Sequence, residues 1–290
     1  MKKILITGKT GYLSQNLLKW LNATPEKYGC DCLSLREHTW HDTDLSKYDA
    51  ILHTAAIVHQ RERKANAISY RLINTDLTYE LASKAKHSGV RHFIFISSMS
   101  VYGLDGQIGK PVIISADTSC NPCSCYGKSK LEAENLILGL QDSDFIVSIV
   151  RPPMIYGPNC PGNYSRLRKL AMSWSLFPDI QNERSMIFID NLCNMLEQLI
   201  ASRVTGIFLP QNNEFVSTTE MIKLIAEQHG RKPIFSQILG KATCLIKINL
   251  INKIYGNLTY KKPPAEPEPA SSCIIGFAES IYITEKNWEW

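Results

Sequence analysis

Lys2-Lys-Ile-Leu-Ile-Thr-Gly8-Lys-Thr-Gly11-Tyr-Leu-Ser14 carries the strongest architectural signal in the chain. An aliphatic, β-branched run, Lys2–Thr7, leads directly into two glycines three apart, and an amphipathic stretch, Tyr12–Leu21, follows. That order reads as strand, tight turn, helix. The glycines let the backbone approach a pyrophosphate, which would rest on the helix N-terminus. Gly8, Thr10, Gly11, Tyr12 and Leu13 are therefore candidate cofactor-binding residues. Ser14 occupies the third glycine position, where a small residue allows helix and strand to touch. Directly behind an N-terminal strand, such a turn signals a dinucleotide.

Beyond this segment, short strand candidates alternate with amphipathic helical stretches. The strands are Cys32–Leu35, Ala50–His53, His92–Ser97 and Phe145–Val150; the helices are Ile68–Ser88 and Tyr126–Leu140. The alternation predicts an α/β chain, a Rossmann doubly wound parallel sheet covered by helices. After Arg151-Pro-Pro153 the pattern is broken by Pro158, Pro161, Gly162 and Pro178. Gly206–Leu209 reads as a strand returning to the sheet, which leaves a smaller C-terminal substrate lobe interdigitated with the first. The expected division is 1–155 for dinucleotide binding, with a returning segment 185–212, and 156–290 for the second lobe. Thr218–His229 reads as a helix with Thr218 or Thr219 as N-cap. Residues 241–256 are apolar with scattered lysines. A packing or lid helix is the commoner source of that composition, and a membrane-surface helix is the other. Residues 261–272 are Pro-rich and read as a loop.

With 290 residues, 44% of them hydrophobic, the chain can bury a sizeable core. A net charge of +5 suits an anionic small molecule, and no basic block of the kind that binds nucleic acid is present. No apolar run is long enough to span a membrane, and the Ile4–Ile6 run is too short for a signal-peptide core. Nine cysteines without scaffold spacing fit reduced thiols in the cytoplasm. Cys120, Cys123 and Cys125 lack a matching Cys/His pair, so they read as loop thiols and no metal site is expected.

Tyr126 and Lys130 are four apart on a predicted helix and share one face. An ammonium beside the phenol would favour the tyrosinate and bring the pair into acid/base range. At the end of the second predicted strand, Arg36 suits a 2′-phosphate and favours NADP(H), while Glu37 keeps NAD(H) open. His53 and His59 invite a general-base role, and His53 reads better as a core residue.

Together these motifs resemble the extended short-chain dehydrogenase/reductases, the NAD-dependent epimerase/dehydratase family, that act on nucleotide sugars. The resemblance covers most of residues 1–230. It includes Asp44-Leu45, which in that family lies by the adenine, and His53-Thr54-Ala55-Ala56 beneath the cofactor, followed by Asn74. Ser97-Ser98-Met-Ser-Val-Tyr-Gly103 resembles the family's serine strand and points to Ser98. Arg151-Pro-Pro153-Met154-Ile-Tyr-Gly-Pro158 with Gly162-Asn163 resembles the lead-in to the sugar-nucleotide lobe, with Pro153 beside the cofactor. Arg184-Ser-Met-Ile-Phe-Ile-Asp190 resembles the segment whose arginine binds the diphosphate.

The resemblance implies that Ser98 and Tyr126 hydrogen-bond the reacting sugar oxygen. It also implies that Lys130 holds the nicotinamide ribose, and that Met154, Asn163 and Arg184 face substrate. The family's dehydratases carry an Asp-Glu pair where Met99 and Ser100 stand here, so dehydration is not expected. The short 36–49 segment and Met154 resemble 4-ketoreductases, nearest to bacterial capsule enzymes that reduce a UDP-4-keto-6-deoxy-N-acetylhexosamine. The alternatives are a UDP-sugar 4-epimerase and a non-catalytic NAD(P)-binding sensor. The predicted helices 68–88 and 126–140 resemble those of the family's dimer bundle, which implies a homodimer.

Overall fold

The computed structural model describes residues 1–36, 38–58, 64–115, 117–245, 249–262 and 273–289. In chain order the elements are β1 (Lys2–Thr7), α1 (Tyr12–Asn22), β2 (Tyr28–Leu33), a 3-10 turn (His38–Asp42), β3 (Ala50–His53) and α2 (Lys64–Tyr70). A π-helical turn (Arg71–Asp76) joins α2 to α3 (Leu77–His87), and β4 (His92–Ile96), a 3-10 turn (Met99–Tyr102), β5 (Ile113–Ile114), α4 (Cys125–Leu138) and β6 (Ile146–Val150) follow. Then come β7 (Met154–Tyr156), α5 (Asn163–Ser173), β8 (Leu176–Pro178), β9 (Met186–Phe188), α6 (Ile189–Ser202) and β10 (Gly206–Phe208). The chain ends with α7 (Thr218–Gln228), β11 (Ile234–Ser236), α8 (Gln237–Leu245), α9 (Asn249–Tyr255), β12 (Thr259–Tyr260) and α10 (Phe277–Lys286).

Residues 1–103, 119–152 and 193–210 form one compact unit. Its six strands are parallel, in the order β10-β6-β4-β3-β1-β2. The chain leaves β1 toward β2 on one side and returns through β3 on the other, so the order reverses between β1 and β3. A crevice at such a reversal is where open α/β sheets bind ligands. On one face α3 and α4 cover Leu5, Ile51, Phe93, Phe95 and Val147 in a core closed by Trp40 and Leu45. On the other, Trp20 of α1 donates its indole N–H to Glu197 of α6 at 2.7 Å, and Lys2 of β1 donates to the Ile200 carbonyl at 2.9 Å.

Two boundaries differ from the sequence expectation. The second strand begins at Tyr28 rather than Cys32, with Lys2 opposite Tyr28 and Thr7 opposite Leu33. Glycine and aspartate in Tyr28-Gly-Cys-Asp-Cys weaken the local strand signal, and pairing with β1 overrides it. The long helix after β3 is not uniform, since its Arg71–Asp76 turn is wound wide.

The second unit contains residues 104–118, 153–192 and 211–290. Residues 104–118, expected with the first unit, belong here because β5 pairs with β12. Its core is pinned by a buried carboxylate. Glu285 accepts from the Tyr164 hydroxyl and the Arg168 Nε, each at 2.7 Å, and pairs with His229 Nε2 at 2.7 Å. Helix α7 is capped by Ser217, whose hydroxyl accepts from the Glu220 amide at 3.5 Å. The expected caps serve elsewhere: Thr218 donates to the Ile254 carbonyl and Thr219 to that of Ile180. Among the described residues no helix is long and apolar enough to cross a membrane.

Candidate active site

The glycine turn is built as the sequence implies. Gly8 has φ +86°, a left-handed conformation, and a Cβ there would come within 2.8 Å of Thr54 Oγ1. The Ser14 hydroxyl donates to the Gly8 carbonyl at 2.5 Å and the Gly11 carbonyl at 2.8 Å, closing the turn from beneath. Helix α1 opens at Gly11 with no side-chain cap and no acidic residue in its first turn. Its N-terminal amides are thus left to an anion, and these residues fit a dinucleotide pyrophosphate. Thr54 donates to the Thr7 carbonyl at 2.6 Å, tying the end of β3 to that of β1 beside the turn.

Ser98, Tyr126 and Lys130 are brought together at the C-terminal end of the sheet. Tyr126 and Lys130 lie in the first two turns of α4, which Ser124 caps by accepting from the Gly127 amide at 3.0 Å. Ser98 caps the 3-10 turn after β4, accepting from the Ser100 amide, and its hydroxyl is hydrogen-bonded to Tyr126. Burial pushes the Tyr126 phenol up to about 12, a hydrogen bond from Ser98 pulls it down, and Tyr70 opposes ionisation. The Tyr70 ring meets that of Tyr126 edge-on at 6.3 Å.

One sequence expectation needs correction. The Lys130 ammonium does not act on the Tyr126 phenol as a neighbouring charge; it donates to the Ile96 carbonyl at 2.8 Å and lies 4.4 Å from the Phe95 ring centroid. Burial lowers the Lys130 pKa to about 7, against the opposing charge of Glu134 one turn along α4. Burial thus favours the neutral phenol over the tyrosinate.

Two supports escaped the sequence reading. Glu134 receives Arg151 in a bidentate pair, Nε to Oε1 at 3.0 Å and Nη2 to Oε2 at 2.5 Å, and Arg151 Nη1 donates to the Tyr102 hydroxyl at 2.9 Å. This buried pair fixes the third turn of α4 against the end of β6. The spacing Lys130–Glu134 was the available signal. Second, the wide turn aims Asn74 and Thr75 inward: Asn74 Nδ2 donates to Ser129 Oγ at 3.1 Å, and Thr75 donates to the Ser129 carbonyl at 2.9 Å.

Asn74 also exchanges hydrogen bonds with both backbone groups of Ile57, so that it latches the segment after β3 to α4. Leu45 is a core side chain, fully buried. Asp44 is exposed and turns back on Ser46, whose hydroxyl and amide hold its carboxyl below the usual carboxylate range. His53 is a core residue, bonded to Thr7 Oγ1 at 2.7 Å and Thr78 Oγ1 at 2.9 Å; burial, then the Lys130 charge, lower its pKa to about 3. Arg36 is exposed beyond β2, whereas Glu37 and His59 lie outside the described residues. Ala55 and Ala56 follow β3, half-buried, and Thr10, Tyr12 and Leu13 line the turn and the start of α1.

Pro153, Met154, Asn163 and Arg184 belong to the second unit. Met154 is half-buried in β7, and Asn163 opens α5 exposed. Arg184 Nη1 donates to the Gly256 carbonyl at 2.7 Å, and burial lowers its pKa while Asp105 supports its charge. Cys123 is exposed, its thiol directed at the Gly103 carbonyl at 3.5 Å, and no cysteine is in a disulfide. Among the described residues no group of His, Cys, Asp and Glu could hold a metal.

Residues 4–207 match the family described as the NAD dependent epimerase/dehydratase family. A UDP-glucose 4-epimerase of Vibrio cholerae is 31% identical over 248 residues, 78% of this chain and 75% of that protein. Among solved structures, a UDP-glucuronic acid 4-epimerase from Bacillus cereus in complex with NAD superposes with TM-score 0.76 at 20% identity, covering 98% of each chain. A dTDP-4-dehydrorhamnose reductase from Bacillus anthracis in complex with NADP gives TM-score 0.63 at 20% identity, covering 82% of this chain and 86% of that one. The glycine turn, the Ser98/Tyr126/Lys130 cluster and these matches have one reading: the chain belongs to the NAD-dependent epimerase/dehydratase family, enzymes of nicotinamide-dependent nucleotide-sugar chemistry.

Proposed function

We propose that this chain is an NAD(P)H-dependent nucleotide-sugar 4-ketoreductase acting on a UDP-4-keto-6-deoxy-N-acetylhexosamine, in polysaccharide or capsule precursor synthesis. The observation that carries the reading is the thin connection between β2 and β3. Among its described residues the only regular element is the 3-10 turn His38–Asp42, so β2 is left as the sheet edge. A reductase must exchange its dinucleotide every turnover, whereas an epimerase keeps the same one. A short cover at the adenosine end supports exchange. Exposed Arg36 supports NADP(H), with NAD(H) the alternative.

A bound nicotinamide supplies the hydride. The chain supplies the proton and the alignment. Tyr126, kept protonated by burial, gives its proton to the sugar oxygen as negative charge develops there. Ser98 hydrogen-bonds the same oxygen, and Lys130, anchored on the Ile96 carbonyl, is the proposed contact to the nicotinamide ribose. Arg184, Asn163 and Met154 are the proposed contacts to the substrate's diphosphate and sugar. Neither Met99 nor Ser100 is an acid or base at neutral pH, which speaks against dehydration. The intact triad of side chains speaks against a sensor.

A second reading, UDP-sugar 4-epimerase, is favoured by the 31% identity to the Vibrio protein. Dialysis of the purified protein separates the two. A reductase is expected to lose its dinucleotide and rebind added NADPH reversibly; NAD retained through dialysis and released only by denaturation would favour the epimerase. The proposal carries a cytoplasmic location, where UDP-sugars and nicotinamide cofactors are found. It also carries a homodimer through the apolar side chains that α2, the wide turn and α4 leave exposed, among them Ile68, Leu72 and Leu136.

A further inference from the structure

The second unit carries an apolar surface that its own packing does not use. In the two-stranded sheet of β8 and β11, Phe177 pairs with Phe235 and their rings stack 5.9 Å apart on the inner side. The alternation of a strand then sends their neighbours outward. Leu176 and Ile234, paired side by side, are both exposed, and Trp174, just before β8, is exposed with them. Arg231 donates to the Trp174 backbone carbonyl at 3.3 Å.

Helix α8 continues this surface. It lies so close to β8 that a Cβ on Gly240 would overlap the Asp179 carbonyl. Gly240 and Thr243 are its buried residues. At 100° per residue, Ile238 and Leu245 then point directly away from the unit. Both are 83% exposed. An amphipathic surface helix turns its apolar side inward; this one turns it out.

The charge around the patch selects among partners. Beside the patch stand Arg231, Lys232 and Lys241, against half-buried Asp179 and exposed Glu227, the latter paired with Lys223 at 4.0 Å. On the patch itself Lys232 and Lys241 are exposed. Long cationic side chains can lie along apolar surface while their heads reach anionic groups. Aliphatic side chains, an exposed indole and a surround with a net basic charge form the composition of a surface that lies on an anionic bilayer.

We propose that the Trp174–Leu176, Ile234 and α8 surface docks the protein peripherally on anionic lipid. The protein would lie on the membrane without spanning it. Docking of this kind depends on the second unit alone, independently of whether the reaction is reduction or epimerisation.

The test is flotation of the full chain with vesicles of pure phosphatidylcholine and of phosphatidylcholine with phosphatidylglycerol. The wild type is expected to float with the anionic vesicles, remain behind with the neutral ones, and detach in high salt. Ile238→Glu/Leu245→Glu and Lys232→Glu/Lys241→Glu should each reduce the floating fraction at least tenfold. Their outward positions should leave the melting curve unchanged. Failure of the wild type to float, or variants of unchanged melting that float as well as it does, would overturn the proposal. So would a wild-type self-association abolished by Ile238→Glu/Leu245→Glu with no vesicle binding, which would make a second copy the occupant.

Discussion

Among single residues, the chemistry turns on a phenol and an amine whose environments differ. Replacing Tyr126 by Phe removes the proton donor while leaving the glycine turn intact. Turnover should fall roughly 10²–10⁴-fold, the range of general acid/base catalysis, with dinucleotide affinity within a few-fold of wild type by fluorescence titration. Near-wild-type turnover in that variant would sink the assignment. Lys130 makes a separate prediction through stability. Its folded pKa is about 7, against 10.5 for an ordinary lysine. Between those values the unfolded chain holds the extra proton, so stability should rise with pH across that window. Lys130→Met should flatten the rise in a series of denaturant titrations. The positions of Tyr126 and Lys130 were legible from their spacing on a helix. Their electrostatics were not, because whether an ammonium faces a phenol or a carbonyl depends on burial and rotamer, which spacing does not encode.

Among the elements, the first strand, the turn and α1 could be read almost residue by residue, because glycine spacing and hydrophobic period agree there. Gly8 is the most demanding position. Gly8→Ala imposes a left-handed conformation on an L side chain, costing about 1–2 kcal/mol, and drives a methyl toward Thr54 Oγ1. A lower melting temperature together with weakened dinucleotide binding is expected; unchanged binding would mean the turn does not hold the pyrophosphate. β2 and the wide Arg71–Asp76 turn were less legible. The first is a strand by virtue of its partner, not its composition. The second is held by Asn74 and Thr75 reaching Ser129 on α4, a contact across 54–55 positions of sequence.

Across the whole chain, the doubly wound sheet followed from alternating periodicity, while the second unit followed from few local signals. Its organising group, Glu285, is separated by more than fifty residues from each of Tyr164, Arg168 and His229. No window of sequence holds those partners together. Glu285→Gln leaves Arg168 buried without its counter-charge and should cost about 3–5 kcal/mol, visible as an earlier unfolding transition; a shift within error would contradict the role given to it. Acid should destabilise the first unit in a defined window. Burial holds His53 and His92 neutral, with pKa values of about 3 and about 4 against 6.5 for an ordinary histidine. Below pH 6.5 the unfolded chain takes up protons that the native one refuses, so stability should fall as pH drops toward 4.

Reduction at a sugar C4, with Tyr126 as proton donor, is best put to the test by stoichiometry. A UDP-4-keto-6-deoxy-N-acetylhexosamine is incubated with the enzyme and NADPH, or NADH, while nicotinamide absorbance and the sugar product are followed together. One reduced dinucleotide should be consumed per 4-hydroxy sugar formed, with no consumption by Tyr126→Phe. Interconversion of 4-hydroxy epimers with no net change in nicotinamide absorbance would contradict the assignment to a reductase.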